Sequence, residues 1–274
     1  MSGPGAARVG RYVLLAGLAA LFLLPLYLLA RGALGTSMDV ATGDWLPRRP
    51  DGDAFRQVFS DDARPLARAL LNSTAVAVLQ TVGTVAVALP AGYAFARIRV
   101  AYAGRVFAVV LVTLLVPAAV TFVPTFVMVS TLGWVSSLQG LVVPGLFQAT
   151  AVFLFRQHFL GLPRELEEAA VLDGAGPARI FRAIALPGAG PVTAAVATIT
   201  FVGSWNAFLW PLVIGQDPQS WTVQLVLSSY ITAQSVNVPA MFAAALVSIA
   251  PLLAFFLVAQ RWIAAGVERT GISG

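Results

Sequence analysis

The chain has 274 residues, of which 58% are hydrophobic and only 11% charged, against roughly 25% charged in an ordinary soluble domain, so a soluble globular protein is excluded and an integral membrane protein expected. The net charge of +5 lies between apolar runs instead of forming one basic face, which argues against a nucleic-acid surface, and the lack of cysteine removes disulfide frameworks and thiolate metal sites. A chain of this length has room for about six spans of roughly 20 residues in a single transmembrane bundle over residues 1–274, with no second domain.

In chain order, the first span is read at 12–30, preceded by Arg8 and Arg11. A secretory signal would share that charge pattern, but the apolar run exceeds the roughly 7 to 15 residues of a signal core and nearly crosses a bilayer. Residues 31–68 hold six Asp and six Arg and read as an external loop, with a turn at Trp45–Pro47 and some helix near Phe55–Phe59. The second span is expected at 69–95 and the third at 106–130, where Pro117 and Pro124 predict a kink or local unwinding. The fourth falls at 139–155. A polar insertion, 162–187, follows, then a fifth span at 189–214, an external loop around Asp217 and Pro218, and a sixth span at 240–262.

Orientation follows from arginine, the basic residue throughout, since the chain has no lysine. With the amino terminus inside, the connections on that side carry eleven arginines: Arg8, Arg11, Arg97, Arg99, Arg105, Arg156, Arg164, Arg179, Arg182, Arg261 and Arg269. The long external loop carries six. The bias puts both termini and the 162–187 insertion in the cytoplasm of a multi-pass membrane protein. An all-arginine basic set with abundant Ala and Gly also fits a GC-rich bacterial genome.

The insertion, LPRELEEAAVLDGAGPARIFRAIALP, is polar and rich in Arg and Glu in the middle of an otherwise membrane-like sequence. Pro163 suits a first helical turn, and Glu165, Glu167 and Glu168 lie near the positive end of the helix dipole. Gly174 is a candidate left-handed cap. Gly176-Pro177 restarts a second helix, with Ile180, Phe181 and Ile184 on one face and Arg179 and Arg182 on another, ended by Pro187. Small Ala169 and Ala170 would let a partner approach the backbone closely. The pattern is a helix-turn-helix knob suited to docking.

Glu168-Ala169-Ala170, three residues, Gly174, nine residues, then Ile184-Ala185-Leu186-Pro187 resembles the EAA loop of importer permeases in the ATP-binding-cassette (ABC) superfamily. The flanking LPRELEEAAVLDGA, FVGSWNAFLWPLV at 201–213 and the tail QRWIAAGVERTG are similar to the carbohydrate subfamily, in particular the second permease of maltose-type systems. This resemblance implies an all-α type I importer permease fold with six transmembrane helices and a cytoplasmic coupling loop, in a bacterial inner membrane. It implies a second homologous permease, an ABC ATPase dimer that binds ATP and Mg, and an extracytoplasmic sugar-binding protein or lipoprotein, with no cofactor or catalysis on this chain. Leu166, Glu167, Glu168, Ala169, Ala170, Leu172, Asp173, Gly174 and Ala175 would couple to the ATPase, Glu168 through a salt bridge or cap and Gly174 by permitting the turn. One part stands without the resemblance: a P-loop needs GxxxxGK[ST], and a chain without lysine has none.

Within the spans, Gln80, Thr121, Gln148, Trp205, Asn206 and Trp210 are candidates to line a wet substrate pathway, with Thr125, Ser248 and Trp221 beside them. Hydrogen bonding between helices, and interfacial anchoring for the tryptophans, are the competing readings. His158, the sole histidine, makes no metal site. A permease of the same superfamily for a polyol, glycerol phosphate or another non-sugar solute is the alternative; an anionic substrate should require an arginine deep in a span, and none is there. A secondary transporter would need midplane carboxylates or histidines, which the spans lack.

Overall fold

Proline placement decides where these helices break, because a proline ring collides with the carbonyl four residues earlier and supplies no N–H of its own. The computed structural model describes residues 4–47, 50–98, 100–231 and 237–270, with residues 4–7 and 261–270 described as backbone. Arg48, Arg49, Arg99 and the side chains of Arg261 and Arg269, all used in the orientation argument, lie outside the described residues. The described chain is all-α, without a β-strand, and folds as two units: Met1–Arg68 with Leu225–Ala250, and Ala69–Gln224 with Pro251–Gly274.

In the first unit, α1 (Pro4–Leu34) carries Pro25 in its interior, and its membrane-length stretch Arg8–Leu34 contains an 18-residue window of mean hydropathy 2.5, none of which is buried. Near its end Gly32 meets Phe242 so closely that any Cβ would stand 2.0 Å from the ring. The loop expected at 31–68 contains two helices. α2 (Ser37–Thr42) starts from a capping box in which the Thr36 hydroxyl accepts from the Asp39 N–H and the Asp39 carboxylate accepts from the Thr36 N–H. α3 (Asp53–Ser60) occupies the place where helix near Phe55–Phe59 was expected. Arg64 lies 5.0 Å from the centre of the Tyr230 ring, and the Tyr230 phenol is raised above its ordinary pKa by burial and by Asp61, against the lowering effect of Arg64. It therefore stays protonated at any physiological pH.

The second unit holds nearly all of α4 (Leu66–Arg97), which passes Pro90 without breaking. α5 (Ala103–Thr113) and α6 (Ala118–Thr131) occupy the stretch where a kinked third span is expected, and meet at a bend of 96°. α5 stops at Thr113, four residues before Pro117, while Pro124 sits inside α6. The fourth span consists of α7 (Leu138–Val142), a 3₁₀ turn Val143–Gly145 around Pro144, and α8 (Ala149–Leu160), bent by 44°. α9 (Arg164–Leu172) and α10 (Pro177–Ile180) make the two helices of the insertion.

Two expectations at the next span are corrected. Pro187 does not end the helix: the chain runs from α10 through a π-helical turn, Phe181–Ala185, into α11 (Leu186–Gly188) and bends by 69° into α12 (Gly190–Trp205). The wide turn relieves the clash that Pro187 would impose on a regular helix. The fifth span also does not continue to 214. α12 ends at Trp205 and α13 (Leu209–Ile214) is separate, because Pro211 would strike the Ala207 carbonyl of a continuous helix. α14 (Val223–Ser229) and α15 (Val238–Thr270) complete the chain, α15 running well beyond the expected 240–262. Among the described residues three helices are long and apolar enough to span, or up to six spans if each bent pair counts as one.

Inside the second unit, Phe155 and Phe159 of α8 are fully buried among Leu89, Tyr93, Phe107, Val152 and Val196. Lipid is as apolar as these side chains, so close packing holds the helices together more than the hydrophobic effect does. The loop after α6 is pinned by Ser136, a non-glycine residue at φ 53°, whose hydroxyl accepts from the N–H groups of Gln216 (3.1 Å) and Asp217 (3.2 Å). Ser136→Ala is expected to lose both bonds and about 1–2 kcal/mol of stability. A thermal-denaturation midpoint equal to that of the wild type would contradict this.

Candidate functional site

The helix pair of the insertion is built by its own residues. Pro163 takes the extended conformation of the N-cap (ψ 132°), one position ahead of the expected first turn, and α9 begins at Arg164 with Glu165 and Glu167 in its first turn. At the other end Gly174 has φ 78°; its N–H donates to the Val171 carbonyl (3.0 Å) and the Ala175 N–H to the Ala170 carbonyl (2.9 Å). These two bonds form a Schellman motif, closed by a residue in the left-handed region. Space around Gly174 is open, so its backbone conformation, not crowding, requires glycine.

No residue of α9 is buried. Leu166, Val171 and Leu172 are exposed, Leu172 to 89%, and Glu168 and Ala169 are exposed with them. Among the expected coupling residues, Glu167 reaches the rest of the unit through an ion pair: its Oε1 lies 3.5 Å from Nε of Arg97 at the end of α4. Between α4, α9 and α10 lies a groove of about 850 Å³, lined by Tyr93, Arg97, Arg164, Glu168, Leu172 and Ile180 among others. On the second helix Ile180 is buried, Phe181 and Ile184 are partly so, and Arg179 and Arg182 are exposed, as the face pattern predicts. The sequence reading missed the partner of Glu167: Arg97 had been counted only among the charges that orient the chain.

The polar residues of the spans serve mainly the broken helices. Gln80 donates to the Leu141 carbonyl (3.0 Å), Gln148 donates to the Gly145 carbonyl (3.4 Å), and Thr200 donates to Gln148 (3.4 Å). Buried Thr84, a residue not singled out although it lies one turn beyond Gln80, adds a contact to the Gly145 carbonyl at 3.5 Å. These groups satisfy carbonyls that the turn around Pro144 frees from helical bonding. Trp210 donates to the Gly140 carbonyl (3.0 Å) and packs edge-on against Phe122. Trp205 is 3% exposed and stacks on Phe201, so its indole face is used in packing and not offered to a ligand. Thr121 bonds the Ala118 carbonyl of its own helix, and Asn206 the Val202 carbonyl. Both are exposed; Asn206, at the break after α12, is also contacted by Gln224 (3.4 Å). Ser248 bonds the Ala244 carbonyl, Thr125 that of Thr121, and Trp221 that of Gly215.

Comparison with known proteins places this arrangement. Residues 68–269 match the family described as binding-protein-dependent transport system inner membrane component. A putative ABC transporter permease from Streptomyces antibioticus is 36% identical over 224 residues, 81% of this chain and 97% of that protein. The sn-glycerol-3-phosphate transport system permease protein UgpE of Yersinia enterocolitica is 35% identical over 209 residues, 76% of this chain and 74% of its own length. The crystal structure of a bacterial ABC transporter involved in import of the acidic polysaccharide alginate contains a chain that superposes with a TM-score of 0.80, covering 95% of this chain and 98% of that one at 20% identity. With the family match spanning most of the chain and the broken-helix fold shared, the protein belongs to the inner-membrane components of binding-protein-dependent transport systems and is an ABC transporter permease.

Proposed function

We propose that this permease forms half of the translocation pathway of an ATP-driven importer for a neutral carbohydrate. In this reading it pairs with a second permease, receives substrate from an extracytoplasmic binding protein, and docks α9 and the turn at Gly174 onto a separate ATPase chain in the cytoplasm. The observation that carries the docking is α9 itself. A short helix with acidic residues in its first turn exposes Leu166, Val171 and Leu172 outside the spans, and such a face gains stability only when a partner covers it. A separate ATPase chain that binds ATP and Mg fits the lack of lysine in these 274 residues, which leaves them without a P-loop. The unburied apolar window of α1 similarly calls for lipid or a neighbouring subunit.

A neutral substrate is favoured by charge. No acidic or basic residue occurs between Arg68 and Arg97, between Arg105 and Arg156, or between Arg182 and Asp217. A phosphate or carboxylate crossing low-dielectric surroundings would need a cation there. The second reading, glycerol phosphate or a polyol, is favoured by the relatives named for sn-glycerol-3-phosphate transport.

The test is uptake and ATP hydrolysis by the reconstituted complex with its binding protein, offered neutral sugars, polyols and glycerol phosphate separately. Stimulation by a sugar supports the first reading; stimulation by glycerol phosphate alone replaces it with the second. In the same assay Glu168→Arg is expected to lower uptake more than about tenfold, because a misplaced charge at a docked surface costs several kcal/mol, while the amount of permease in the membrane is unchanged. Transport by this chain alone under an ion gradient would overturn both readings.

A further inference from the structure

A helix that buries none of its residues needs something other than packing to fix its direction. For α9 the structure offers one arginine at the end of α4. Arg97 is 5% exposed; its Nε lies 3.5 Å from Oε1 of Glu167, itself 20% exposed, and its Nη2 donates to the carbonyl of Leu162. It therefore holds both the stretch of chain that enters α9 and the first turn of the helix. The ion pairs Arg56–Asp53 and Arg64–Asp61 are local i,i+3 contacts, whereas this one joins two separate elements. Apart from each other, neither Arg97 Nε nor Glu167 Oε1 has a polar partner, so removal of either leaves a largely buried charge uncompensated.

The anchor end of this link is rigid. A Cβ on Gly92 would stand 2.5 Å from the Phe155 Cβ and 2.8 Å from the Arg156 nitrogen, so α4 and α8 are in backbone contact one turn before Arg97. Arg156 in turn donates to the Phe95 carbonyl (3.4 Å) and lies 4.2 Å from the centre of the Phe107 ring, adding α5 to the same block. The opposite face of α9, with Glu165 and Ala169, is exposed and takes no part in the groove, whereas Val171, one turn from Glu167, lines it together with Arg97.

We propose that the Arg97–Glu167 ion pair is the strut that makes α9 and α4 move as one body, so that force delivered to the exposed face of α9 reaches the α4–α8–α5 block. Arg97 and Glu167 are then positioning residues, acting behind the docking surface and not within it. This inference rests on the docking reading above. It ties Glu167 to the membrane part of its own chain and leaves Glu168, exposed at the rim of the same groove, to the docking surface.

The experiment uses the whole reconstituted complex and compares Glu167→Gln, Arg97→Gln and the exchange Arg97→Glu with Glu167→Arg. Three quantities are measured: copurification of the ATPase subunit, its basal ATP hydrolysis, and substrate imported per ATP hydrolysed. The expected result is that both neutral variants keep the ATPase and its basal rate while imported substrate per ATP falls about tenfold or more, within the usual range of coupling free energies. The exchange should recover a substantial part of that loss. Since an exchanged pair has to fold in a tight site, spin labels at exposed Leu172 and Val87 give a second readout: one narrow distance in the wild type with and without ATP, and a broadened one in Glu167→Gln. Wild-type import per ATP in Glu167→Gln, an unbroadened distance, or loss of the ATPase subunit from the neutral variants would each overturn the strut. If instead Glu168→Arg and Gly174→Val leave docking and import intact, the docking reading itself fails.

Discussion

Gly174→Val is expected to leave the permease inserted and folded while lowering substrate uptake at least about tenfold, a change equal to an ordinary coupling free energy between two sites. At φ 78° a β-branched side chain pays about 1–3 kcal/mol of backbone strain, and nothing within 4 Å of the added Cβ returns any of it through contact. The least costly response is to abandon the left-handed turn. That breaks the bonds from Gly174 to Val171 and from Ala175 to Ala170 and changes the angle at which α9 hands over to α10. Gly174→Asn provides the control, because asparagine visits the left-handed region at little cost. Uptake in proteoliposomes should stay near wild type for Asn and collapse for Val. Equal loss in both would show that the site tolerates no side chain for reasons unrelated to backbone conformation, and full activity of Val would remove the turn from the coupling mechanism.

Gly92→Leu is expected to destabilise the protein itself, by about 3 kcal/mol or more, the upper part of the range for overpacking. The Cβ alone would meet the Phe155 Cβ at 2.5 Å and the Arg156 backbone nitrogen at 2.8 Å, and a helix backbone cannot swing aside as a side-chain tip can. The two helices would have to separate, opening the packing around Phe155 and Phe159 on which the second unit depends. Gly104→Ala, where nothing stands within 4 Å, is the matched control. Thermal unfolding of the purified complex followed by size-exclusion fluorescence should show a large drop for Gly92→Leu and none for Gly104→Ala. A similar midpoint for both would mean that α4 and α8 are not in backbone contact.

These two glycines differ in how they could be read. Gly174 was legible in the sequence because its requirement is local: a helix of Glu and Ala residues, a polar residue, a glycine and a restart at Pro177 specify a left-handed cap whatever surrounds them. Gly92 looks like any other small residue in an apolar run. Its necessity comes from Phe155, 63 positions away, and only packing reveals it. The prolines divide in the same way. The break at Pro117 was expected, whereas Pro25, Pro90 and Pro251 stay inside continuous helices and Pro187 is absorbed by a π turn. The ring clash is a property of the residue; whether the helix breaks or stretches depends on what can satisfy the freed carbonyls.

By itself the sequence determined the membrane class, the all-α composition, the position of the helix pair of the insertion with its Gly174 turn, and the family. Each follows from composition or from residues close together in the chain. Tertiary structure alone decided what the polar and charged groups do. Gln80 and Gln148 serve the carbonyls around Pro144, Trp205 packs against Phe201, and Glu167 is held by Arg97 while neighbouring Glu168 stays exposed. A hydrogen-bonding side chain carries the same donors and acceptors in any setting, so its role is set by which partner the fold brings within about 3 Å, and that partner is usually far away in sequence.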